Sequence, residues 1–182
     1  MRRPTIAVVV LLLMVGAPAR AQAQICTAQP PPATPWTCTV NTTAALVIGD
    51  VLSLTLSSSA TALTPPTASD YDAGIVTNTG PTATVRGNRA WRLQISAAAA
   101  TWTAVNTQPG VTARANKPAG DLFHATAAGG PFTALSTTPA TVASGSATAA
   151  ATSNFFFRTA YDWSVDTPGG YSLVVRFTLL AP

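Results

Sequence analysis

Apolar residues recur at every second position in four stretches of this chain. Val51–Ser57 (VLSLTLS) sets Leu52, Leu54 and Leu56 on one side. Arg89–Ser96 (RAWRLQIS) groups Trp91, Leu93 and Ile95 opposite Arg92 and Gln94. Asn154–Trp163 (NFFFRTAYDW) aligns Phe155, Phe157, Tyr161 and Trp163, and Tyr171–Leu179 (YSLVVRFTL) aligns Tyr171, Leu173, Val175, Phe177 and Leu179. A strand sends alternate side chains to opposite faces, so all four read as half-buried strands. The last carries the longest inward stripe, and the Pro168-Gly169-Gly170 turn before it predicts pairing with Asn154–Trp163.

Weaker alternation marks further strands at Cys38–Ile48, Ile75–Thr79, Thr82–Arg86, Leu122–Thr126, Phe132–Ser136 and Thr141–Ala150. Between them stand Thr64-Pro65-Pro66, Gly80-Pro81, Pro109-Gly110 and Gly129-Gly130-Pro131. Proline fixes φ and glycine tolerates positive φ, so these predict turns. The alanine tracts Ala97–Ala100 and Ala147–Ala151 favour helix by propensity but lack an apolar stripe, and read as strand ends or loops. Short, regularly punctuated strands with no repeat and no linker predict one all-β domain. Its expected form is an antiparallel β-sandwich, immunoglobulin-like or jelly-roll-like.

The N-terminus breaks this pattern. Arg2 and Arg3 precede an apolar run, Ile6–Ala17, and Ala21-Gln22-Ala23 follows as a small-residue cleavage site. Charge, apolar run and small residues in that order predict a secretory signal over 1–23. Twelve apolar residues are too few to cross a bilayer, so no transmembrane anchor is expected after cleavage. No small residue adjoins Cys26 on its N-terminal side, so no lipid anchor is expected either. The expected parts are 1–23, the signal; 24–38, a proline-rich loop; and 39–182, the sandwich. Cys26 and Cys38 are the only cysteines, and in an oxidising compartment they are expected to pair as a disulfide closing that loop.

Losing the signal removes Arg2, Arg3 and Arg20, leaving seven basic residues against six aspartates and no glutamate. A near-neutral chain has little field with which to collect nucleic acid. Catalysis has equally little to work with. His124 is the only histidine, and no nucleophile elbow, metalloprotease helix or phosphate loop appears. The expectation is a non-enzyme with no cofactor and no bound metal. Asp70-Tyr71-Asp72-Ala73-Gly74 opens like a calcium loop but lacks the third donor and distal glutamate, so it reads as a turn. Arg86, Arg89 and Arg92 form the one basic cluster, but alternation splits them between two faces. Trp36, Tyr71 and Trp102 fall outside the inward stripes and are the candidate ligand-binding residues, since an exposed aromatic face can stack on a sugar ring.

Two segments resemble the WxL domain of bacterial cell-surface proteins. Trp91-Arg92-Leu93 matches its tryptophan-any-leucine motif. The final YSLVVRFTLLAP is similar to its distal motif, with Phe177 where that family has tryptophan and Arg176 where threonine is usual. The resemblance implies a β-sandwich attached non-covalently to the cell wall through peptidoglycan. The expected role is an exported surface or envelope structural and binding module, its partner a cell-wall or other glycan or another surface protein. A carbohydrate-binding module and a fimbrial-type subunit assembled by strand donation are the alternatives. Against donation, the N-terminal segment is proline-rich and offers no regular edge.

Overall fold

The computed structural model describes residues 39–182. The expected signal segment, Trp36 and the Cys26–Cys38 pairing lie outside the described residues. Residues 39–47 carry no regular element, so the described part of the expected Cys38–Ile48 strand is not one. Ile48–Pro182 forms one compact unit.

Within that unit ten strands run antiparallel in three sheets. The largest has five, in the order β1-β2-β8-β5-β6. These are β1 Leu52–Leu56, β2 Ile75–Gly87, β5 Leu122–Ala125, β6 Thr133–Ala134 and β8 Thr148–Ala160. A second sheet orders β10 (Val175–Leu180), β3 (Trp91–Ala97) and β7 (Ala140–Gly145). A third pairs β4 (Thr103–Val105) with β9 (Gly170–Ser172). One short helix, α1 (Ala68–Ala73), precedes β2. No helix among the described residues is long and apolar enough to cross a membrane.

The period-two stripes form the shared core of this sandwich. Ala83 and Val85 from β2, Leu93 and Ile95 from β3, Leu122 from β5, and Phe155 and Phe157 from β8 are all buried together. Phe155 of the large sheet meets Phe177 of the second edge-on, with ring centroids 4.9 Å apart. Sealing a side chain of that size from water contributes about 1.5–3 kcal/mol, and edge-to-face rings add roughly another 1 kcal/mol.

Several expected boundaries move, each for a local reason. Gly80-Pro81 is no turn. Ile75–Thr79 and Thr82–Arg86 are one strand, and the pairing to β8 shifts register between Thr79 and Thr82. The shift absorbs proline's missing donor as a bulge. Glycine is required there, because a Cβ at Gly80 would lie 2.8 Å from the Phe157 ring. Thr141–Ala150 is no single strand but a bend that carries the chain between sheets, with β7 ending at Gly145 beside β3 and β8 starting at Thr148 beside β2. The aromatic strand ends at Ala160, so Tyr161 and Trp163 leave the inward stripe.

The C-terminal stripe faces the core as expected, but its partners differ. Tyr171–Leu179 breaks into β9 and β10, since Leu173 and Val174 switch the chain from β4 to β3. The Ala98 amide donates to the Val174 carbonyl at 2.9 Å and holds this crossing. The expected pairing with Asn154–Trp163 is therefore wrong: β8 pairs with β2 and β5, and meets β10 only across the core.

Candidate functional site

The richest cluster of polar and aromatic side chains lies where α1, the segment before β5 and the β8–β9 turn converge. α1 starts at Thr67, whose hydroxyl accepts from the Asp70 amide while the Asp70 carboxylate accepts from the Thr67 amide. Those bonds to Thr67 hold the Asp70 carboxyl below the usual carboxylate range. Gly74 ends the helix at φ +73°, a left-handed value that suits glycine. This one-and-a-half-turn element presents Tyr71 and Asp72.

Facing it, Asp162 folds the chain sharply. Its carboxylate accepts from the Ser164 amide at 2.7 Å and the Ser164 hydroxyl at 2.6 Å, which also lowers its pKa. An Asx turn of this kind competes with strand continuation. It turns Trp163 outward, 61% exposed. The Trp163 ring stacks on Tyr71 at 4.4 Å with an interplanar angle of 27°, and its N–H donates to Asp72 at 3.0 Å. Tyr161 packs tilted against Tyr71 at 5.5 Å. Burial pushes both phenols above the usual tyrosine pKa, so they stay protonated as hydrogen-bond donors.

Behind the aromatics is a buried charge network. The Trp102 amide donates to the Lys117 carbonyl and the Ala119 amide to the Ala100 carbonyl, each at 2.8 Å, which fixes the segment carrying Lys117. Lys117 is the chain's only lysine and is 2% exposed. Its ammonium donates to Asp166 Oδ1 at 2.9 Å, Asp121 Oδ2 at 3.0 Å and the Ala160 carbonyl at 2.9 Å. Arg114 reaches the same Asp166 oxygen at 3.0 Å and Asp121 at 3.5 Å. The Tyr161 ring lies 5.2 Å from the ammonium. Tyr171 ties this end together, accepting from the Arg114 amide and donating to the Thr167 carbonyl.

A cleft of about 580 Å³ opens between these groups, lined among others by Tyr71, Trp102, Lys117, Thr159, Tyr161 and Tyr171. The Thr159 hydroxyl is buried with no hydrogen-bond partner. A second, more apolar groove of about 460 Å³ runs past Leu56, Leu63, Leu122, Phe157, Leu173 and Phe177. The exposed Trp163 indole is not part of the first cleft's lining but stands at its edge, stacked on Tyr71.

Of the expected ligand-binding residues, Tyr71 stands in the cleft. Trp102 also borders it but is 5% exposed, and its N–H is taken by the Pro118 carbonyl at 3.0 Å, so it adds apolar wall rather than a free stacking face. Trp36 lies outside the described residues. Asp70 and Asp72 lie in the helix α1, not in the expected turn, because Thr67 and Asp70 cap its start and Gly74 its end; they serve that cap and Trp163. Among the described residues no three His, Cys, Asp or Glu side chains are grouped to hold a metal ion. His124 is buried in β5, and burial lowers its pKa. Arg86 and Arg92 are exposed on β2 and β3, while Arg89 sits in the turn between them, paired with Asp50. Trp163, Tyr161, Lys117 and Asp166 are the site residues that period-two reading misses. Asp162-Trp163-Ser164 carried a usable signal, since Asp two residues before Ser marks a turn.

The two segments that carry the family resemblance are neighbours, with Leu93 opposite Leu179 and Arg92 opposite Leu180. Trp91 and Leu93 are buried in the core. A scan against protein-family models gives no match, and neither does a search of curated proteins.

Proposed function

We propose that this chain is an exported, non-catalytic binding module of the bacterial cell surface whose aromatic cleft takes a carbohydrate. The observation that carries the reading is the Trp163–Tyr71 stack: an exposed indole, clamped by Asp72, beside a cleft with polar walls. A sugar presents an apolar C–H face to such a ring, and the exposed Thr107 and Gln108 side chains on the cleft's rim can meet its hydroxyl groups. Clamping the indole in advance reduces the entropy lost on binding. The resemblance of Trp91-Arg92-Leu93 and YSLVVRFTLLAP to wall-attached domains makes soluble peptidoglycan fragments the first ligands to try, followed by neutral glucans.

Isothermal titration against that panel tests the reading. A ligand whose affinity drops about tenfold or more in Trp163→Ala, ~1.4 kcal/mol, with the melting temperature kept, is the expected result. No binding across the panel, or binding indifferent to Trp163→Ala, would overturn it.

Strand donation between copies has one observation in its favour. Leu46, Val47 and Ile48 are 83%, 94% and 76% exposed and belong to no strand. Sedimentation showing self-association that Val47→Asp removes would support that reading. A monomer at every concentration would end it.

A further inference from the structure

We propose that Lys117 and Asp166 condense to an intramolecular isopeptide bond, with Asp121 relaying the proton. The inference rests on the buried network alone and is independent of carbohydrate binding. Lys117 and Asp166 side chains are 3% and 5% exposed and 2.9 Å apart, while Asp121, at 24%, keeps an edge toward solvent. Water is thus kept from the two groups that would react, and proximity of this kind replaces a bimolecular encounter.

The hydrogen-bond directions suit the reaction. The three ammonium protons of Lys117 point to Asp166, Asp121 and the Ala160 carbonyl, which uses its full donor set. Transfer of the first proton to Asp166 Oδ1 leaves a neutral amine whose lone pair faces that carboxyl. The remaining Arg114–Asp121 pair stays charge-balanced, so the move creates no isolated charge in the interior. The amine nitrogen then bonds to the Asp166 carboxyl carbon. Oδ2, which accepts from the Asp162 amide at 3.0 Å, takes the developing negative charge. Asp121 accepts the second nitrogen proton and passes it to Oδ1, which departs as water. The third proton remains as the amide N–H, still aimed at the Ala160 carbonyl. One C–N bond forms, one C–O bond breaks, one water leaves, and nothing is oxidised or reduced. The product ties the segment before β5 to the β8–β9 turn and stiffens two walls of the cleft.

Trypsin and mass spectrometry on the folded full chain test this directly. Cleavage after Arg114, Arg158 and Arg176 puts Lys117 in Ala115–Arg158 and Asp166 in Thr159–Arg176, the Lys117-Pro118 bond being resistant. The expected product is a branched species joining these two peptides, lighter than their sum by one water. In Lys117→Arg and Asp121→Ala the two peptides should separate. Unlinked peptides from folded parent protein would overturn the proposal. Water loss confined to Ala115–Arg158 would assign the bond to Asp121 instead and overturn it as stated. A full yield of branched peptide from Asp121→Ala would remove the relay.

Discussion

Phe155 and Lys117 are both sealed from solvent, but they are held in opposite ways. Phe155 meets Phe177 directly and shares a core with Val85, Leu93 and Ile95, residues drawn from both sheets and interchangeable in chemistry as long as the volume fits. Around Lys117 every partner is specific: two carboxylates, one carbonyl and one aromatic face, supplied by the segment before β5, the end of β8 and the turn after it. Burying apolar surface is favourable without regard to direction. Burying a cation is costly unless its hydrogen bonds are met with good geometry. The first region therefore supplies stability, and the second spends part of it to hold loops in fixed positions. That is why the candidate site sits at the charged end.

The largest expected effect tests the apolar half. Phe155→Ala should lower unfolding free energy by about 3–5 kcal/mol, the range for emptying a well-packed phenylalanine site. Urea melts would read it as a shifted midpoint with little change in slope. A loss below about 1 kcal/mol would mean that the two sheets do not share this core. Phe177→Ala should cost less, since Phe177 is only half-buried.

Arg114→Ala tests the charged half. In the ion-paired network, before Lys117 and Asp166 are linked, it removes one charged hydrogen bond from Asp166, whose other cation, Lys117, remains. The guanidinium side chain is 22% exposed. The expected cost is about 1–2 kcal/mol, at the low end for a hydrogen bond to a charged group after allowing for solvent screening. Raising salt should shrink the difference between Arg114→Ala and parent, and leave the Phe155→Ala difference unchanged. Equal salt responses in thermal melts would erase the distinction between the regions.

The smallest effect is the control. Arg176 points outward from β10, and Arg176→Ala should change stability by under about 0.5 kcal/mol. A larger loss in the same melts would show that the outer face of β10 is covered rather than solvated.

The apolar region was legible because a strand's face is written locally, at every second residue. Leu52, Leu54 and Leu56 and Trp91, Leu93 and Ile95 fall on the inward faces that alternation assigns to them. The same rule failed at Trp163, where it extended the Phe155–Phe157 stripe past Ala160. Asp162 and Ser164 found local hydrogen bonds that outcompeted the ladder. The turn-residue reading failed at Gly80-Pro81, because a strand can absorb a proline as a bulge when a partner such as β8 continues on both sides. The site was harder still. Nothing near Lys117 in the sequence announces Asp166 or Tyr161, which come from beyond β8.

Alternation, turn residues and the scarcity of charge were enough to determine an all-β chain of antiparallel strands with a core between sheets. Those properties follow from short-range backbone geometry and from the burial of apolar faces. Only the tertiary structure decided which strands are neighbours, that β10 lies beside β3 rather than β8, and that Trp163 faces outward while Lys117 is buried. Pairing and burial of polar groups depend on partners far away in sequence. For Lys117 the deciding energy is the satisfaction of all three of its donors at once, which exists only when Asp121, Ala160 and Asp166 have been brought together.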